Sequence, residues 1–313
     1  MKAITLKAFG AIDNLAITEI PEPTVQNDQV LVAVKAISIN PVDVKTRAGR
    51  GVAGRIKDNN PIILGWDISG TVVAVGGGVT QFKTGDDVFG MINFPGHGQA
   101  YAERVAVPAQ HLAIKPASIS HEQAAAATLA LLTAYQAMTQ HATITEGQRV
   151  LIHAAAGGVG HFAVQLAKHL GAYVIGTSSA ANRDFVLALG ADRHIDYKTQ
   201  RFEHVVSDVD FVLDTIGGDN ITRSLEVVRK GGTIISIPTG LNAEVKALAE
   251  AKNVRGDFIL VQSNGNDMRS LAGLLDSGII KAHVSKVFPF QQMGAAHAHV
   301  ETGRTVGKVV VTV

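Results

Sequence analysis

Hydrophobic and polar positions change period partway along the chain. Up to about Pro116, apolar residues come in short runs separated by turn residues. Gln29–Asn40 (QVLVAVKAISIN) and Ile68–Val75 (ISGTVVAV) are predicted strands, and Gln99–Val107 alternates like a half-buried one. Gly76-Gly77-Gly78 and Gly85-Asp86-Asp87 lie between strands as turns, because glycine supplies positive φ without steric cost. No helical period is visible before Ser120, so this part is predicted to be a compact, barrel-like β module.

Ser120-His121-Glu122-Gln123 has the S-x-x-Q spacing of a capping box and opens an Ala/Leu-rich run to about Thr139. From Arg149 the period alternates. Strands are predicted at Val150–Ala154, Tyr173–Gly176, Phe211–Asp214 and Thr233–Ile237, with helices at Val159–Leu170, Asn182–Leu189 and Asn220–Val228. Such alternation implies βαβ units and a parallel sheet covered on both faces. Phe258–Val261 is the expected last strand of that sheet. A helix near Met268–Leu275 and a strand at Lys308–Val313 close the chain.

Length and composition narrow the function classes. The 313 residues suggest two domains. With 46% hydrophobic and 18% charged residues, the chain can bury large cores and is not disordered. A net charge of +1 offers no field for phosphate backbones or anionic lipid, so neither nucleic acid nor a membrane is an expected partner. The absence of cysteine excludes disulfides, thiol nucleophiles and thiolate zinc sites. The N-terminus lacks a signal-peptide core, and Ala124–Leu132 is too short to span a bilayer, so a cytoplasmic protein is expected.

The most informative segment is Arg149–Gly160 (RVLIHAAAGGVG). A buried strand runs into small residues and then directly into an amphipathic helix. Such a turn brings backbone N–H groups and a positive helix end to a pyrophosphate. Ala156, Gly157, Gly158 and Val159 are the candidate cradle, and Gly160 would let the helix pack closely on the strand. Ala155 stands where a G-x-G-x-x-G motif has its first glycine. At the end of the second strand, where an Asp or Glu would select NAD, the chain has Gly176-Thr177-Ser178-Ser179 and then Asn182-Arg183. Thr177, Ser178, Ser179 and Arg183 suit a 2′-phosphate and favour NADPH, with Tyr197 as a further support. Alternatively, Ser179 caps the next helix and Arg183 lies in solvent.

These motifs, taken with others along the chain, resemble the medium-chain dehydrogenase/reductase superfamily, specifically its zinc-independent NADPH:quinone oxidoreductase branch. The further supports are Asn40–Gly49 (NPVDVKTRAG), Gly65–Gly70 (GWDISG), Gly85–Gly90 (GDDVFG), Leu132–Tyr135 (LTAY), Leu213–Gly218 (LDTIGG) and Gly307–Val310 (GKVV). The resemblance implies an α/β fold with a central doubly wound parallel-sheet (Rossmann) domain at 119–262. A chaperonin-10-like β domain would be built from both chain ends, 1–118 and 263–313, with the active site in the cleft between the two. It also implies a homodimer joined near Phe258–Val261.

Zinc-dependent members carry Cys at the place of Asn40 and His-Glu at the place of Trp66-Asp67. Both are lost here, and His97, His297 and His299 have no matching third ligand, so no metal is expected. A metal-free site holding NADPH suits quinones and α,β-unsaturated carbonyls. The resemblance points to Asn40, Lys45 and Thr133 as catalytic candidates, with Asp67 orienting neighbouring groups. Lys45 could equally contact the nicotinamide ribose or pair with Asp43. Thr215, Ile237, Leu260, Val261 and Lys308 are candidates for further cofactor contacts. Phe94, Met91, Ile92 and Leu241 are candidate walls for a small hydrophobic acceptor. A nucleotide-binding regulatory protein with little turnover is the alternative.

Overall fold

The computed structural model describes all 313 residues. Its strands are β1 (Lys2–Leu6), β2 (Leu15–Glu19), β3 (Gln29–Ile39), β4 (Asp67–Val75), β5 (Asp87–Met91), β6 (Arg104–Pro108), β7 (Ala113–Ile114), β8 (Arg149–Ile152), β9 (Tyr173–Ser178), β10 (Arg193–Asp196), β11 (Val209–Asp214), β12 (Val228–Ser236), β13 (Arg255–Phe258), β14 (Val284–Pro289) and β15 (Lys308–Thr312). The helices are α1 (Pro41–Arg47), α2 (Ala53–Ile56), α3 (His121–Ala126), α4 (Leu129–Gln136), α5 (Gly160–His169), α6 (Arg183–Ala188), α7 (Asp219–Ser224), α8 (Ala243–Ala251), α9 (Gly265–Asp276) and α10 (Met293–Glu301).

The chain divides into two compact units, 1–132 with 261–313, and 133–260. The first therefore extends to 132 rather than 118, because α3 packs on β3, β4 and β15 of the same sheet. That sheet runs β14-β15-β3-β4-β5-β7, with β6 also paired to β3. The C-terminal strand β15 lies antiparallel to β3, so both chain ends build one unit. Its core gathers Val30, Val32, Ile37, Ile68, Val88 and Val309.

The second unit is a six-stranded parallel sheet in the order β10-β9-β8-β11-β12-β13. This is the doubly wound order, in which the chain reverses direction beside β8 and opens a crevice at its C-terminal end. Leu151, Ile175, Ile195, Val212 and Ile234, one from each of five strands, form the core. Continuous apolar strands are what burial on both faces requires.

Four expectations are corrected. Helices α1 and α2 do precede Ser120. They escape a hydrophobic period because α1 turns Asp43, Thr46 and Arg47 inward beside Val44. Within 99–107 only β6 is a strand: Gln99 takes φ +62°, and the Ala100 and Tyr101 N–H groups bond to Gly65 and Leu64 carbonyls. The run from Ser120 breaks after α3, where Thr128 Oγ1 bonds to Ala125 O and the Asp67 carboxylate accepts the Leu129 N–H that starts α4. The last parallel strand is Arg255–Phe258, a polar edge strand that an apolar pattern overlooks, and not Phe258–Val261. No helix is long and apolar enough to cross a membrane.

Candidate functional site

The cradle lies at the C-terminal end of β8 in the second unit. Ala154 takes φ +48° and turns the chain out of the strand, and Ala155 N bonds to Thr177 O at 2.8 Å, tying the turn to β9. The first α5 hydrogen bond runs from His161 N to Gly157 O, which leaves Gly158, Val159 and Gly160 N–H groups at the helix mouth. A Cβ on Gly160 would sit 2.2 Å from Ala154 O, so glycine is obligatory there. The alanine at 155 is accommodated from the other side: a Cβ on Gly176 would come within 2.8 Å of the Ala155 Cβ. Close packing is thus kept with one glycine moved to the neighbouring strand. Unpaired N–H groups, a positive helix end and small residues fit a pyrophosphate.

The residues assigned to the 2′-phosphate separate into two groups. Thr177 and Ser178 are buried, and their hydroxyls are engaged: Thr177 Oγ1 lies 3.1 Å from His153 Nδ1, while Ser178 Oγ donates to Ser179 O and lies 2.8 Å from His194 Nε2. Ser179 is half-buried and makes no capping bond to the following turn. Arg183, its side chain 62% exposed, pairs only with its neighbour Asp184, and Tyr197 is 60% exposed. Ser179, Arg183 and Tyr197 remain accessible to a phosphate; Thr177 and Ser178 serve the scaffold.

No sequence signal singles out His153. It is fully buried, with Nε2 3.0 Å from Ser224 Oγ, and Ser224 Oγ donates to Asn220 O at 2.7 Å. A carbonyl can only accept, so the Ser224 proton is spent there and Nε2 must donate to Ser224. Burial pushes the imidazole down to about 4, so it is neutral, and Nδ1 accepts from the Thr177 hydroxyl. Thr215 Oγ1 donates to the His153 carbonyl at 2.8 Å. Buried Asp214 organises the next loop through Ser236 Oγ, Asn220 Nδ2 and the Gly217 N–H. The LDTIGG motif contains this carboxylate. Ile237 and Leu260 are half-buried, Val261 and Thr133 buried.

The first unit holds a second polar centre. Asn40, at the N-terminus of α1, is 1% exposed. Its Nδ2 donates to Asp67 Oδ2 at 2.7 Å and its Oδ1 accepts from Lys308 Nζ at 2.5 Å. An ammonium only donates and a carboxylate only accepts, so these partners determine which way the carboxamide points. Lys308 Nζ also reaches Ile39 O at 3.3 Å and lies 3.9 Å from Asp67 Oδ2. Lys308 is therefore a buried internal cation, at 3% exposure, and no strand-edge group free to reach a cofactor.

Asp43 accepts the Asn40 N–H at 2.6 Å. Burial, reinforced by the nearby Asp67 charge, raises its carboxyl to about 7. Burial likewise raises Asp67 and lowers Lys308, each offset by the other's charge. Tyr101 OH lies 2.9 Å from His297 Nε2, and burial takes that imidazole down to about 3.

Lys45, on the same helix, faces elsewhere. It borders a surface hollow with Pro41, Val44, Arg50, Val300 and Glu301. Among the candidate walls, Met91, Ile92 and Phe94 are core residues of the first unit, Phe94 packing edge-on to Trp66. Leu241 packs against the core of the second.

Residues 26–117 match the alcohol dehydrogenase GroES-like domain, and 189–311 match the zinc-binding dehydrogenase family. The donor set does not fit zinc. Asn40 Oδ1, Ile39 O and Asp67 already surround an ammonium, the chain has no cysteine, and no three His, Asp or Glu side chains converge. The NADPH-dependent alkenal/one oxidoreductase of Arabidopsis thaliana is 34% identical over 99% of this chain and 79% of its own. The quinone oxidoreductase of Coxiella burnetii superposes with TM-score 0.95 at 39% identity, covering 100% of this chain and 99% of that one. The Escherichia coli quinone oxidoreductase complexed with NADPH superposes at 0.88 with 29% identity, covering all of both chains. With its GroES-like unit, doubly wound sheet and full-length relatives, the chain belongs to the medium-chain dehydrogenase/reductase superfamily.

Proposed function

We propose that this chain is a reductase that passes hydride from NADPH to a quinone or an α,β-unsaturated carbonyl without a metal. The observation that carries this reading is the full-length similarity to reductases of both acceptor classes, joined to a cradle whose unpaired N–H groups suit a dinucleotide. NADPH supplies the hydride, so the protein's part is to bind, orient and stabilise charge.

Ala156, Gly157, Gly158 and Val159 form the pyrophosphate cradle. Arg183, with Ser179 and Tyr197, receives the 2′-phosphate, the guanidinium through its planar fork. His153 and Thr215 brace the loop behind them. Negative charge developing on the acceptor oxygen needs hydrogen-bond donors. Of the three catalytic candidates, Asn40 and Thr133 are buried and Lys45 alone is half-exposed. We assign Asn40 and Thr133 to positioning and Lys45 to the acceptor side. The unit 133–260 is the nucleotide domain and the remainder the acceptor domain. We place the protein in the cytoplasm as a homodimer joined through β13, whose Phe258 is exposed at the sheet edge.

The test is NADPH oxidation with quinones and enones, repeated with NADH and with a chelator. Chelator-resistant, NADPH-selective turnover is expected. Arg183→Ala should weaken NADPH by roughly 10–100-fold and leave NADH unchanged, as loss of a charge-assisted hydrogen bond requires. Tight NADPH binding without turnover on either acceptor class would leave a nucleotide-binding regulator instead.

A further inference from the structure

Residues 44–57 (VKTRAGRGVAGRIK) carry Lys45, Arg47, Arg50, Arg55 and Lys57 and no carboxylate, in a chain whose net charge is only +1. Arg47 is buried, and its Nη2 lies 2.5 Å from Glu301 Oε1. Neither Lys45 nor Arg50 has a carboxylate partner. The fold brings these two cations together. Gly49 and Gly51 take φ +81° and +54° on either side of Arg50, and the Arg50 N–H bonds to Lys45 O at 2.8 Å. The loop therefore folds back over the end of α1. Both side chains border a hollow of about 330 Å³ whose other walls are Pro41, Val44, Val300 and Glu301. The one acid there is already paired to Arg47.

We propose that this hollow is a subsite for an anionic group, a carboxylate or a phosphate, borne by an amphipathic acceptor of the reaction. That its ligand is the acceptor rests on the reductase reading above. Arg50 offers a planar fork that matches a carboxylate or phosphate edge, and Lys45 adds a point charge beside it. Pro41, Val44 and Val300 give the carbon skeleton an apolar wall. Lys45 thus grips the acceptor's charged end. The competing role for these cations is to complement the negative end of helix α1.

The test uses two enones of one skeleton, one ending in a carboxylate and the other in a methyl group. In each reduction the β-carbon takes hydride from NADPH and the α-carbon takes a solvent proton, leaving NADP⁺. kcat/KM is measured for both across ionic strength. The saturated carboxylate product is titrated calorimetrically into the protein. The carboxylate is expected to be preferred roughly tenfold at low salt, the preference shrinking as salt rises. Arg50→Gln should remove about tenfold of kcat/KM for the carboxylate, weaken the calorimetric binding, and change the methyl compound far less; Arg50→Lys should restore most of the loss.

Equal, salt-insensitive kcat/KM for the two enones, or equal losses in Arg50→Gln, would overturn the subsite while leaving the reductase intact. If neither the enones nor quinones are reduced but the saturated carboxylate binds wild type and not Arg50→Gln, the reductase reading fails and the subsite stands. Cations that serve only the helix end would alter the melting temperature in Arg50→Gln with no discrimination between acceptors and no calorimetric binding, which also rejects the proposal.

Discussion

Around His153, hydrogen bonds run in one direction through neutral groups: Thr177 donates to the imidazole, the imidazole to Ser224, and Ser224 to a carbonyl. Around Lys308, one ammonium, two carboxylates and a carboxamide are buried together. Two carboxyls then share one ammonium, and burial, reinforced by the Asp67 charge, raises the Asp43 carboxyl to about 7. A neutral relay is indifferent to pH across the physiological range. A charged cluster with an unmatched acid is not, and its stability depends on where its protons are.

Removing the cation should have the largest effect. Lys308→Met leaves Asp67 and Asp43 buried without a counter-charge and should cost about 3–5 kcal/mol. The loss, read by denaturant unfolding, should shrink as pH falls and the carboxyls take up protons. A pH-independent loss would mean that only packing was removed.

Asp43→Asn gives the next effect. A folded-state pKa raised from 3.8 to about 7 means the native state holds the proton longer than the unfolded chain. The contribution is present in full below the unfolded pKa and is lost as pH rises through about 7. The variant should match wild type near the lower limit and exceed it above the upper one, by up to about 4 kcal/mol. Its Oδ1 can still accept the Asn40 N–H. Parallel stability curves for the two proteins would show that Asp43 keeps an ordinary pKa.

Ser224→Ala is the smallest change and probes the other centre. It strands the His153 Nε2–H and should cost about 1–2 kcal/mol. That cost should be the same on either side of neutrality, because the imidazole, lowered to about 4, carries no charge there. A cost that varies between mildly acidic and alkaline pH would make His153 a charged group.

The two centres were unequally legible. The cradle is local: strand, turn and helix follow one another from 149 to 169, so residue order alone carried the βαβ reading and the phosphate site. The same holds for the capping box, in which Ser120 and Gln123 satisfy each other's backbone N–H groups. The GKVV and NPVD segments could be read as motifs, but no local signal joins Lys308 to Asn40. Their contact exists because β15 pairs with β3 across most of the chain.

The same reason explains the displaced assignments. Thr177 and Ser178 have the right chemistry for a phosphate, yet partners at 153 and 194 claim their hydroxyls. Helix α1 hid from its hydrophobic period because its inner face is polar. Periodicity and turn chemistry act over a few residues and settle which elements form and in what order. Whether a polar side chain meets solvent, a ligand or another buried group depends on strands and helices distant along the chain. Burial then determines its charge, since desolvation moves a pKa only after the fold has excluded water.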